Sequence, residues 1–149
     1  MLQAACAARP EANKSEPSAT RTAPSGLDLI ALSIEGSGRR HLFTVEVARS
    51  AEQQAQGLMN RRSLAPDAGM LFPFDPPRPA SFWMRNTLIP LDMIFIRPDG
   101  VIARIAANTV PLSEAQVGVE EPVTAVLELR GGRSAELGIS EGDRVSWND

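Results

Sequence analysis

Arg61, Trp83, Asn86, Thr87 and Asp92 are the residues of this chain whose types and spacing could build a binding site. On an extended strand, Phe82, Met84 and Asn86 share one face while Ser81, Trp83 and Arg85 share the other. The segment that follows is apolar on both sides, Leu91, Met93 and Phe95 against Ile94 and Ile96, which marks a central strand covered on both faces. Asp92 falls on the isoleucine side, near the strand's start. A buried carboxylate needs an arginine or backbone donors. Arg61 is the candidate partner, because its forked guanidinium suits Asp92 or an exogenous anion. Trp83 offers a flat apolar face for a sugar ring, and Asn86, Thr87 and Asp92 would line the rim around it. The competing reading is architectural. Short polar side chains beside a turn commonly bond local backbone, here through Pro90, and large aromatics are usually packed.

Other chemistries are excluded by what the chain lacks. Lys14 is the only lysine, Cys6 the only cysteine and His41 the only histidine, and there is no tyrosine. Beyond residue 26 a Schiff-base or phosphate-loop lysine, a thiol nucleophile, a cysteine zinc or iron–sulfur site and a multi-histidine metal site are therefore all ruled out. A serine–histidine–aspartate triad could use His41, but no G-x-S-x-G elbow is present. No residue is nominated as catalytic, and no cofactor or metal is implied. Basic residues alternate with acidic ones at a formal net charge of -3, which gives no stripe for a nucleic acid.

Met59, Met70, Met84 and Met93 are the remaining group with chemistry of its own. Thioethers bind soft Cu(I), so a methionine-based copper-handling protein is a weaker alternative. The spacing lacks Met-x-x-Met runs, and methionine is an adaptable core filler.

Residues 1–26 read as a disordered tail rich in Ala, Pro, Ser and Thr, and residues 27–149 as a single β-rich domain. Small residues before Cys6 resemble a lipoprotein cleavage site, with Cys6 the candidate for lipidation and the tail the remnant of a signal or tether. The expected location is then the periplasm or outer envelope, with the cytoplasm as the alternative. No apolar run reaches the length of a membrane span.

The elements that must position these residues are short strands between turn signals. Strands are expected over residues 27–34, 41–48, 69–74, 80–86, 91–97, 101–107, 123–129 and 143–147. The cluster Pro73, Pro76, Pro77 and Pro79 should cut the third of them off. Pro98-Asp99-Gly100 predicts a hairpin turn. Ser50-Ala51-Glu52-Gln53 is a capping box that opens a short helix ending near Gly57, and residues 131–138 suggest one further helical turn. This pattern is mostly β, a β-sandwich or small barrel-like fold with one or two short helices.

Three blocks carry a resemblance: Gly57-Leu58-Met59-Asn60-Arg61, Gly69-Met70-Leu71-Phe72-Pro73-Phe74, and the run from Phe82-Trp83-Met84-Arg85-Asn86-Thr87 through Ile89-Pro90-Leu91-Asp92 to Ile96. With Leu127-Glu128-Leu129, Gly138-Ile139 and Gly142-Asp143, their order and spacing resemble the family called domain of unknown function 192 across residues 43–145. Asn60, where an aromatic is frequent, and Arg85, where lysine is common, depart from its pattern. The resemblance implies a compact β-rich fold and frequent export, and no mechanism.

The reading that follows is an exported binding or accessory module, non-enzymatic, for a small polar or saccharide ligand or an envelope component. The alternative is a carboxylate-dependent enzyme acting on a cell-envelope saccharide or anionic small molecule, with Asp92 as base and Arg61 as anion clamp.

Overall fold

The computed structural model describes residues 21–149. Cys6, and with it the lipidation reading, lies outside the described residues. The fold is mostly β. The strands are β1 (Arg21–Thr22), β2 (Asp28–Gly36), β3 (Arg39–Val47), β4 (Ala68–Phe82), β5 (Leu91–Ile96), β6 (Ile102–Ala106), β7 (Val117–Arg130) and β8 (Arg144–Trp147). Two short helices, α1 (Ala51–Gln56) and α2 (Arg133–Leu137), complete it.

All eight strands belong to one sheet in the order β1-β2-β3-β4-β7-β5-β6, with β8 on the far side of β2. Val101, just before β6, bridges Arg144 in β8, and Ile102 N–H donates to the Asp143 carbonyl at 2.8 Å. The two ends of the sheet therefore meet at one corner, which gives the curled, barrel-like form. The concave side holds Leu32, Ile34, Phe43, Val45, Ile94, Leu127 and Leu129 among its core residues. The outer side of β4, β7 and β5 carries a second core with Met70, Phe72, Met84, Met93, Phe95 and Val126. Every residue of β5 is buried, as expected for a central strand apolar on both faces.

Local chemistry explains most boundaries. Ser50 Oγ accepts from Gln53 N–H at 3.1 Å, and Gln53 Oε1 accepts from Ser50 N–H at 3.1 Å, so the capping box forms as its sequence predicts. Gly57 ends α1 at φ +46, and a Cβ there would stand 3.3 Å from the Phe72 ring. In the β5–β6 hairpin, Val101 N–H donates to Asp99 Oδ1 at 3.0 Å.

Two expectations are corrected. The prolines do not end the strand: β4 runs through them as a single element, with register shifts against β7 between Pro73 and Arg78 and between Arg78 and Ala80. Pro73 keeps its pairing with Ala125, while Pro76, Pro77 and Pro79 fall where the ladder is interrupted, so their missing N–H groups are accommodated. Residues 21–26, assigned to the tail, join the domain. β1 pairs with β2, Ala23 is buried and Ser25 donates to Glu46. Ser and Ala at these positions carry no periodic signal that would have marked them.

Candidate functional site

The sheet register defines the site. Glu46 in β3, Met70 in β4, Glu128 in β7 and Met93 in β5 are successive cross-strand partners, so they form one row on the outer face. α1, the turn after it and the segment after β4 cover this face incompletely. The gap is a cleft of about 270 Å³ lined by Gly57, Met59, Phe72, Phe82, Trp83, Thr87 and Glu128, among others.

Glu128 is the unusual member of that lining. It is 4 % exposed, yet it accepts no hydrogen bond and meets no cation among the described residues. Burial alone pushes its carboxyl up to about 8, so it holds its proton near neutrality. Around it Phe72, Phe74, Phe82 and Trp83 share the walls with Gln54, Gln56, Arg78 and Ser81. Phe82 stands edge-on to Phe72 at 5.2 Å and to Phe95 at 6.3 Å between ring centroids. Arg78 stacks over Phe74 at 4.3 Å and Arg85 over Trp83 at 5.3 Å.

Glu46, at the far end of the row, is the contrasting case. Arg61 grips its carboxylate with two bonds, Nη1 to Oε2 at 2.5 Å and Nη2 to Oε1 at 2.9 Å, and Ser25 Oγ adds a third. Burial works against this carboxylate, but the hydrogen bonds from Arg61 and Ser25 and the Arg61 charge outweigh it and hold it below the usual carboxylate range.

The five candidate residues do not converge. Trp83, 40 % exposed, and Thr87, buried, line the cleft. The chain leaves extended geometry after Phe82, where Met84 N–H donates to Ser113 and Thr87 N–H turns back to Met84. That turn brings Phe82, Trp83 and Thr87 to one cavity, which strand alternation would have separated. Asn86 is exposed at φ +53, and its carbonyl accepts from Asn60 N–H at 2.8 Å. It links two of the motif blocks and does not line the cleft. Arg61 pairs with Glu46 and lines a neighbouring cavity with Ser25, which corrects the expected grip on Asp92.

Asp92 is on the opposite side of the sheet. It is fully buried in phase with Ile94 and Leu129. Its Oδ1 accepts from Asn108 and Gly132 N–H and its Oδ2 from Ser134 N–H, each at 2.9 Å. Those bonds tie the β6–β7 loop and the start of α2 to β5. With the carboxylate sealed by amides, Asp92 has no route to a ligand in the cleft.

The methionines gather on the cleft side. Met70, Met84 and Met93 pack in the outer core, and Met59 lines the cleft. Met84 Sδ accepts from the Thr109 hydroxyl at 3.1 Å. His41, the imidazole that would complete a copper set, is in phase with Phe43 and Val45 toward the concave core. Among the described residues no group of His, Cys, Asp or Glu is placed to hold a metal ion, and no helix is long and apolar enough to cross a membrane.

Residues 32–147 match the model of DUF192, described as an uncharacterized ACR. The chain belongs to the DUF192 family. Among solved structures, a protein of unknown function from Novosphingobium aromaticivorans DSM 12444 is similar at 46% identity and a TM-score of 0.84, over 87% of this chain and 93% of that one. A candidate transcription regulator from Sinorhizobium meliloti 1021 is similar at 48% identity and a TM-score of 0.79, over 81% of this chain and 95% of that one. No curated protein matches significantly. The DUF192 match spans the whole row from Glu46 to Glu128 and every candidate residue from Arg61 to Asp92.

Sequence reasoning did not single out Glu128 as functional. A signal was present. Val123 to Leu129 is apolar except at Thr124 and Glu128, and the lone charge in a doubly covered strand has to be paired, protonated or used.

Proposed function

We propose that this protein is a binding module whose cleft takes a small ligand of about one ring, with an apolar face against Trp83 and a polar edge on Glu128. The observation that supports this reading is the Glu128 carboxyl, buried and unpartnered at the wall of a cavity open to solvent. A carboxyl that lines a cleft and has no partner within the fold is available to a polar group from outside. Trp83 adds an exposed aromatic surface beside it. A cleft of about 270 Å³ accommodates a ligand of about one ring.

A carboxylate-dependent enzyme on the same ligand class is the second reading. What favours it is the raised Glu128 carboxyl, the property a general acid needs near neutral pH. Glu128 is the one carboxylate in the cleft lining among the described residues, so a two-carboxylate mechanism lacks its second group. Binding is therefore preferred. Nucleic acid is not part of the reading, because Arg40, Arg49, Arg61, Arg85, Arg97, Arg130 and Arg133 are each paired with a carboxylate.

The same reading places the domain in the periplasm or outer envelope, tethered by lipid on Cys6. It rests on the small residues before Cys6, and metabolic labelling with an alkyne fatty acid in wild type and Cys6→Ala tests it. For the cleft, the test is Trp83 fluorescence in a Trp147→Phe background, titrated with monosaccharides and small ring compounds. Binding should quench or shift the emission, and Phe72→Ala should weaken it about tenfold. A panel that leaves Trp83 and Glu128 unperturbed sinks the reading.

A further inference from the structure

We propose that the group recognised at the cleft is a cation, a primary ammonium that pairs with the Glu128 carboxylate. The proposal rests on the binding reading above and specifies its ligand class.

The chain itself supplies the comparison. Glu46 and Glu128 occupy the same row on the same face, separated by Met70. Glu46 receives a bidentate guanidinium and a hydroxyl from within the fold. Glu128 receives nothing. A buried carboxylate is stabilised chiefly by an opposite charge with good hydrogen-bond geometry, so the Glu128 carboxyl at the cleft wall suits a cationic ligand. Arg78 does not fill it. That guanidinium lies over Phe74 at 4.3 Å and makes no ion pair with Glu128.

The walls favour the same class. Aromatic faces attract cations, and two rings of this lining, Phe74 and Trp83, already carry guanidiniums. Phe72 and Phe82 line the cleft and hold no cation among the described residues. An ammonium between these rings and Glu128 would meet a negative partner on one side and π surface on another.

Charge coupling gives this ligand a distinctive sign. In the free protein the Glu128 carboxyl releases its proton only near pH 8. An ammonium binds the ionised form, so each ligand expels one proton below that pH, and affinity climbs with pH. A neutral ligand that hydrogen-bonds to the protonated acid behaves oppositely and weakens above pH 8.

The experiment uses the full chain and two matched probes, cyclohexylmethylamine and cyclohexylmethanol. Calorimetry in buffers of different ionisation enthalpy follows affinity and proton release from pH 6 to pH 8, with Glu128→Gln alongside. The expected result is amine affinity rising about 50-fold over that range, with one proton released per amine at its lower end. The alcohol should bind weakly, and Glu128→Gln should abolish both the amine preference and the pH dependence. That variant removes a buried ionisable group and keeps its shape, so folding survives. Glucosamine and putrescine, compared at pH 7, separate an amino sugar from an aliphatic polyamine. If amine and alcohol bind alike, or amine affinity falls with pH, the ammonium proposal is overturned and the cleft reading stands. If neither probe perturbs Trp83 or Glu128, both are overturned.

Discussion

Glu46 and Glu128 stand on one row of the sheet, roughly 10 Å apart across β4, with opposite electrostatic fates. Arg61 and Ser25 hold Glu46 ionised, while burial without a partner holds Glu128 protonated. One is fastened within the fold and the other faces a cleft. The pair distinguishes structural charge from available charge in this protein.

Stability should carry the mark of Glu128 in its alkaline limb. Burial raises its carboxyl from the ordinary 4.5 of a glutamate to about 8 in the folded protein. Between those values the native state keeps a proton that the unfolded state has released, so stability falls as pH rises through the window. Each unit of separation is worth about 1.4 kcal/mol, so the loss amounts to a few kcal/mol. Urea titrations of wild type and Glu128→Gln should therefore nearly coincide at pH 5 and separate by pH 8, with the variant more stable. Parallel profiles would mean that Glu128 is solvated or paired.

Glu46 sets the acid limb. Its folded carboxyl is depressed, so its contribution is complete above the ordinary glutamate value of 4.5 and is lost as pH falls through the lower folded value. Arg61→Ala should destabilise the protein by about 3 kcal/mol, because it strands a buried carboxylate. Glu46→Gln placed on top should recover part of that loss. Chemical denaturation of the two single variants and the double variant measures the coupling, and strict additivity would show that the ion pair contributes nothing.

Asp92 should behave as a structural residue. As a ligand contact it would lose binding before stability on substitution, and its geometry reverses that order. Asp92→Ala removes the acceptor of three N–H groups, one fully buried and two partly so, and should cost about 3 kcal/mol. Ligand binding in the cleft should persist wherever the variant remains folded, since the two sites lie on opposite faces. Thermal unfolding and Trp83 fluorescence on one sample decide between the two roles.

Most of the fold was legible because its signals are local. The Ser50 capping box, the Pro98-Asp99-Gly100 turn and the doubly apolar β5 each follow from neighbouring residues. β4 was not, because its continuity through the prolines depends on pairing with β7, distant in sequence. The site was half legible. Trp83 and Thr87 sit in the cleft, but β7 inserts between β4 and β5, so two segments adjacent in sequence are not adjacent in the sheet. That insertion supplies Glu128, and no spacing within the Trp83 to Asp92 stretch could have announced it.

The protonation of Glu128 is the claim on which the rest depends. It can be read directly by a carbon-13 NMR titration of the carboxyl in the full chain, assigned with Glu128→Gln. The account predicts a midpoint near pH 8 in the free protein. A midpoint near the ordinary 4.5 of a glutamate would contradict it, because the carboxyl would then be hydrated or internally paired.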